Sequence, residues 1–335
     1  MTASEINDLV LTRKASVTEV AQAHLDRIAA HDGDFGAFLT VNPEHVLAAA
    51  AEVQKRVDEG LSGPMVGVPV ALKDNISTKG IRTTCASKIL ENYVPPFDAT
   101  TVLKMQESGL VMVGKTNLDE FAMGTSCENS ALGTTHNPWD TDLVPGGSSG
   151  GSAVAVSAEM AAVSLGSDTG GSIRLPAALT GTVGFKPTYG RVSRYGLIAF
   201  GSSLDQIGPF ARNVEDAARL AHVLTGHDPL DSTSLPGSQI SLEGLKTGSV
   251  KGKKIALPKE LFSDAIDPAV MDVIQICIDA LKREGCEFHE VSLPSIQYGV
   301  TTYYIIAPAE ASSNLGRFDG IRFGPRIDSE GHVNM

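Results

Sequence analysis

The sequence has 335 residues, 42% hydrophobic and 20% charged, enough apolar material for one large or two ordinary buried cores. A formal charge of −12 opposes a broad nucleic-acid footprint, because phosphate contacts draw on clustered Lys and Arg; any RNA is expected to sit on a partner. Cys85, Cys127, Cys277 and Cys286 lie far apart without a CxxC pair or a histidine at ligand spacing, and no apolar run reaches membrane-spanning length, so the expectation is a reduced, cytoplasmic protein with no disulfide framework, metal site or membrane anchor.

In chain order, Ser16 and Glu19 form a capping box ahead of Val17, Val20, Leu25 and Ile28, which share one helix face, and this predicts a helix near 17–30. Asn42-Pro43 opens a second helix that runs to Gly60. The apolar run 65–72, "MVGVPVAL", suits a buried strand that delivers Lys73 at its end; the alternative for Lys73 is a surface lysine. Asp98 is expected to cap a helix reaching Gly109. Strands follow at "LVMVG", at 161–167 and at 253–258, with helices near 213–225 and 268–284. Alternating strands and helices predict an α/β layered fold with a central mixed sheet flanked by helices. The expected organisation is one domain over 1–335: an N-terminal helical segment (1–60), a core (61–225), a Gly/Ser/Pro/Asp-rich surface excursion (226–252) and the start of a C-terminal part (253–335).

Two small-residue stretches carry the chemistry. The first, "VPGGSSGGSAVAVSAEM" at 144–160, enters an alanine-rich helix, which argues against a linker, and it lacks the lysine and spacing of a phosphate loop. It satisfies G-x-S-x-G with Ser149 central, but a nucleophile elbow must follow a strand, whereas "HNPWDTDLVPGG" reads as loop and His222 and His227 are poor partners. The second, "GSDTGGSIRLPAALTG" at 166–181, begins where a strand ends. Its glycines allow Asp168-Thr169-Gly170-Gly171-Ser172 to turn successive N–H groups toward one point, an arrangement suited to an oxyanion, with the Ser172 hydroxyl beside the donors. The plainer alternative is a tight turn with a capping serine. No histidine is an obvious base, and a desolvated Lys73 meets that need.

Lys73, "GGSSGGS" and "GSDTGGSIR" together resemble the amidase signature family, whose catalytic set is Ser-Ser-Lys; Ser148 follows Lys73 by 75 residues and Ser172 follows Ser148 by 24, as in that family. "ALKDNI", "TKGIRTTCASKIL", "GKTNLDEFAMGTSCENSALG", "NPWD" and "KPTYGRVSRYGLIAFGSSLDQIGP" further resemble the aspartyl/glutamyl-tRNA amidotransferase A-subunit family, and "YYIIAPAEASSNLGRFDGIRFG" extends the likeness to 324. Leu175 departs from the usual Gln, and the chain ends at Met335, short of the family's usual length.

The resemblance implies an amidase signature fold in which Ser172 attacks the side-chain amide of glutamine, Ser148 relays its proton to Lys73, and the N–H groups of Thr169, Gly170 and Gly171 hold the oxyanion. Met123, Gly124, Thr125 and Ser126, with Tyr303 and Tyr304, would hold glutamine. It implies no cofactor in this chain, ammonia passing to partner subunits B and C, and a partner that uses ATP and Mg to convert Glu-tRNA(Gln) or Asp-tRNA(Asn) to the amide. It also implies that a further C-terminal part completes the glutamine site, so that these residues alone would have little glutaminase activity. Arg174 and Asp205 read as structural, an ion pair or caps. The alternatives are a free-standing amidase acting on other amides and an inactive assembly subunit.

Overall fold

The computed structural model describes residues 1–237, 239–262, 266–327 and 333–334; Met335 lies outside them. The described residues form two compact units, 1–242 with 309–335, and 243–308.

The first unit begins with a helix that the sequence reading passed over, α1 (Ala3–Leu11), although Thr2 and Glu5 form a reciprocal capping box at its start. The Ser16–Glu19 box starts α2 (Val17–Phe35), and Asn42 with Pro43 starts α3 (Pro43–Asp58), with a short strand β1 (Phe38–Thr40) between them. β2 (Pro69–Lys73) is buried along its whole length. The next helix, α4 (Thr100–Glu107), is capped by Ala99 without a side-chain bond, which corrects the expected role of Asp98: its Oδ1 accepts the Lys79 N–H at 2.8 Å. Then come β3 (Val111–Thr116), α5 (Gly150–Ser157), β4 (Val163–Asp168), α6 (Arg174–Thr180), β5 (Val183–Gly184), β6 (Gln206–Ala211) and α7 (Val214–Leu224).

These strands make one six-stranded sheet in the order β1-β3-β2-β4-β6-β5. β2 runs parallel to both β3 and β4, while β1, β5 and β6 pair antiparallel, so the sheet is mixed as expected. The parallel centre is covered on both faces, so nearly every residue of β2, β3 and β4 is buried, polar ones included. α5 is apolar on every side and is buried from Gly150 to Val156, as a helix enclosed by the core must be. The stretch 226–252 is only partly a surface excursion: Asp228, Asp231 and Ser234 are buried, and Asp228 Oδ2 accepts the hydroxyls of Thr100 and Ser193 at 2.6 and 2.5 Å.

The second unit is a parallel βαβ arrangement of β7 (Lys254–Pro258), α8 (Pro268–Arg283) and β8 (Glu287–Val291), with Lys254 opposite Glu287. It is followed by α9 (Gly299–Leu315), whose C-terminal part belongs to the first unit.

A fully buried ion pair ties β2 to β3: Lys115 Nζ lies 3.1 Å from Asp74 Oδ1 and donates to the Ile76 carbonyl and the Thr83 hydroxyl, both at 2.8 Å. Burial pulls the Lys115 ammonium down, and Asp74 opposes that shift. Removing one member of such a pair strands a charge in the interior. Lys115→Met should therefore lower the unfolding free energy by about 3–5 kcal/mol, measured by denaturant unfolding; a loss below about 1 kcal/mol, the scale of an exposed pair, would show that the pair is not a structural clamp.

Candidate active site

β2 and β4 are parallel neighbours with Leu72 opposite Leu165, so both strands deliver their last residues to the same edge of the sheet. There the Lys73 side chain, 0% exposed, lies 2.7 Å from Ser148 Oγ, 2.9 Å from Ser167 Oγ and 3.4 Å from the Ser167 carbonyl oxygen. Asn75 Nδ2 also donates to Ser167 Oγ, at 2.9 Å. Among the described residues no carboxylate forms a salt bridge with Lys73. Burial pulls its ammonium down to about 8, and coupling to Cys127 and then to the more distant carboxylates Asp119, Asp168 and Asp205 opposes only part of that shift.

The oxygens around Nζ suit the neutral amine. An amine has two N–H donors and one lone pair; the Ser167 hydroxyl and carbonyl take the two N–H groups, and the lone pair is left for the Ser148 O–H. Lys73 can thus accept a proton from Ser148 and return it. Ser167 and Asn75 are site residues that the sequence reading missed. Lys73 and Ser167 are 94 residues apart, and only the strand pairing brings them together.

Ser148 sits in the loop that enters α5. Gly147 before it must be glycine: a Cβ there would lie 1.9 Å from Asp119 Oδ2 and 2.8 Å from the Ser126 nitrogen. The loop containing Met123, Gly124, Thr125 and Ser126 therefore packs directly on the Ser148 loop. Asp119, another residue the sequence did not single out, is buried at this junction, and that burial raises its carboxyl above the usual range. Ser149 is turned the other way. Its hydroxyl donates to the Ser167 carbonyl at 3.1 Å and it is 0% exposed, so the G-x-S-x-G reading finds no free nucleophile and no preceding strand. The Ser149 N–H donates to the Ser172 carbonyl at 3.2 Å, which fastens the two loops together.

The Ser172 loop leaves β4 and is shaped by Asp168. Asp168 accepts the N–H groups of Gly171, at 2.9 Å, and Ile173, at 3.1 Å, and pairs with Arg174 at 3.0 Å. Burial pushes the Asp168 carboxyl up, but the bonds from Arg174 and Ile173 outweigh it and the net direction is down. Arg174 thus caps the loop as an ion-pair member with its side chain 55% exposed. Gly171 has φ +143°, a conformation that favours glycine. Its N–H is spent on Asp168, which removes it from the expected oxyanion donors. Among the described residues the N–H groups of Thr169, Gly170 and Ser172 make no hydrogen bond, so they are the ones that remain to serve. Leu175 is accommodated: its N–H donates to the Gly171 carbonyl at 2.8 Å, a backbone bond indifferent to the side chain. Tyr303 and Tyr304 lie on α9 in the second unit with ring centroids 5.5 Å apart.

The geometry suits acyl transfer: a desolvated lysine bonded to Ser148, and, in a loop fastened to the Ser148–Ser149 loop through the Ser172 carbonyl, a serine flanked by backbone N–H groups that make no hydrogen bond among the described residues. Comparison with known proteins agrees. The Amidase family matches residues 19–333. The chain is 56% identical to the A subunit of the Glutamyl-tRNA(Gln) amidotransferase of Carboxydothermus hydrogenoformans, over 100% of this chain and 70% of that relative. It is similar to the solved structure of the corresponding Glutamyl-tRNA(Gln) amidotransferase A subunit of Thermotoga maritima, at 48% identity and TM-score 0.83 over 94% of this chain and 66% of that one. It is also similar to the native peptide amidase of Stenotrophomonas maltophilia, at 34% identity and TM-score 0.87 over 95% of this chain and 67% of that one.

The two serines can be told apart by a fluorophosphonate, which labels an activated serine hydroxyl. Ser172→Ala should abolish labelling and Ser149→Ala, if folded, should keep it. Lys73→Arg should also abolish it, since a guanidinium does not give up its proton. Labelling that survives in Ser172→Ala and vanishes in Ser149→Ala would reverse the assignment.

Proposed function

The chain belongs to the amidase family, and from that membership and the Lys73–Ser148 geometry we propose that it is the glutamine-hydrolysing A subunit of a tRNA-dependent amidotransferase. The single observation that carries the mechanism is Lys73 Nζ, buried without a carboxylate and 2.7 Å from Ser148 Oγ. Ser172 Oγ attacks the side-chain amide carbon of glutamine as its proton moves to Ser148 and the Ser148 proton moves to the Lys73 amine. The N–H groups of Thr169, Gly170 and Ser172 hold the oxygen that becomes negative, a role worth about 3–4 kcal/mol for one donor in comparable sites. Collapse breaks the C–N bond. The nitrogen takes a proton from Ser148, which recovers one from the Lys73 ammonium, and ammonia leaves. Water then attacks the acyl ester through the same relay and releases glutamate.

The substrate assignment follows the relatives: the chain is 56% and 48% identical to amidotransferase A subunits and 34% identical to a peptide amidase. Met123 to Ser126, packed on the Ser148 loop, are proposed to hold glutamine. Partner subunits B and C would receive the ammonia and, with ATP and Mg, amidate Glu-tRNA(Gln) or Asp-tRNA(Asn). The strong negative charge of this chain suits a subunit that leaves tRNA to its partner.

Extended to the length of its relatives and assembled with partner subunits, the chain should release ammonia from glutamine, and Ser172→Ala in that form should release none. Brisk hydrolysis of peptide amides without turnover of glutamine would instead favour a free-standing amidase. Because the amine is the working form, kcat/KM should rise with pH and level off above about 8, where Lys73 loses its proton. Below that it should fall about tenfold per pH unit, and a rate flat from pH 6 to 9 would remove Lys73 from the proton relay.

A further inference from the structure

The oxyanion loop is short and is gripped at both ends. Asp168 holds its far end through Gly171, Ile173 and Arg174. Its near end is held by a second carboxylate, 36 residues further on: the Thr169 hydroxyl donates to Asp205 Oδ1 at 2.5 Å. Between the two grips, only Gly170 is free of a side-chain hold.

Asp205 is itself fixed. It is 3% exposed, accepts the Phe200 N–H on Oδ2 at 2.9 Å and shares Oδ1 with the Gly201 N–H at 3.1 Å. The 200–203 turn is in turn fastened to the C-terminal part of α9. Glu310 accepts the Ser203 N–H at 2.9 Å and the Ser203 hydroxyl, while Asn314 Nδ2 donates to the Phe200 carbonyl at 3.1 Å and to Ser202 Oγ at 3.0 Å. The turn also presses on Thr169, since a Cβ on Gly201 would lie 3.1 Å from Thr169 Cγ2. A carboxylate fixed by two backbone donors within one turn is a stiff anchor, and its remaining strong bond goes to the first residue of the loop that stabilises the oxyanion.

We propose that Asp205 is a positioning residue for the reaction, acting through the Thr169 hydroxyl to aim the Thr169 and Gly170 N–H groups at the developing oxyanion. The proposal rests on the assignment of Ser172 as nucleophile. It gives Asp205 more than the capping role read from sequence, and it gives the Thr169 side chain a function separate from its backbone. Loosened donors lose part of their effect because an oxyanion hole works through donors already in place when charge develops.

The test uses two reactions of residue 172 on the same chain. Phosphonylation by a fluorophosphonate forms an O–P bond, expels fluoride and places a phosphoryl oxygen where the oxyanion would sit. Alkylation of a Ser172→Cys variant by iodoacetamide forms an S–C bond, expels iodide and needs no oxyanion donors. Thr169→Val should slow phosphonylation about tenfold to a hundredfold and leave alkylation within about twofold, whereas Thr169→Ser should phosphonylate at nearly the wild-type rate. Asp205→Ala should slow phosphonylation at least as much as Thr169→Val, and adding Thr169→Val to it should cost nothing further, since the Thr169 bond is already gone. Unchanged phosphonylation in Thr169→Val overturns the proposal, and so does an equal fall in both reactions, which marks a general structural role. A wild-type chain not labelled at Ser172 overturns the nucleophile assignment and this proposal with it.

Discussion

The arrangement depends on an ammonium group placed where water and carboxylates do not reach it. A lysine side chain that is 0% exposed must either find a counter-charge or give up its proton, and this protein contains both solutions on neighbouring strands. Lys115 on β3 faces Asp74, which opposes its discharge, and serves as a clamp. Lys73, next to Asp74 in the chain but pointing to the other side of β2, meets the oxygens of Ser148 and Ser167, so burial outweighs the more distant carboxylates in setting its state. One strand end thus separates structure from chemistry by alternation.

The rest of the site follows from holding that lysine. β2 and β4 must be parallel neighbours so that Lys73 and Ser167 meet at one sheet edge, the carboxyl ends of strands being where open α/β sheets place ligands. The Ser148 loop must come close to Asp119 and Ser126, which leaves no room for a side chain at Gly147. The Ser172 loop must keep N–H groups unspent: Asp168 takes those of Gly171 and Ile173, on either side of Ser172, and those of Thr169, Gly170 and Ser172 make no hydrogen bond among the described residues. The Ser149 bond to the Ser172 carbonyl locks these two loops to one another.

Much of this was legible in the sequence because it is local. The Ser16–Glu19 capping box marked the start of α2 and the Asn42-Pro43 cap that of α3, apolar runs marked β2, β3 and β4, and the order of small residues around Ser148 and Ser172 pointed to acyl transfer. What was not legible is what tertiary pairing supplies. Ser167, Asn75 and Asp119 look like ordinary polar residues until the strands are paired. Asp98 had the right chemistry for a cap but is drawn to the Lys79 N–H. β6 was hidden by Pro209, which argues against a strand flanked on both sides. Its carbonyl accepts the Phe185 N–H at 3.0 Å, so its missing donor points to the β5 side, where the ladder covers only Phe210 and Ala211. The expectation that Gly171 donates to the oxyanion failed for a similar reason: sequence shows that a glycine permits a nest, not where each N–H goes.

The central claim is that burial among uncharged oxygens lowers the Lys73 ammonium far enough for its amine form to be populated near neutral pH. The most direct measurement is an NMR titration of the chain carrying ¹³C-labelled lysine, with the Lys73 Cε resonance identified by its absence in Lys73→Arg. A midpoint near 8 is the predicted result, and a midpoint near the ordinary 10.5 would contradict the account.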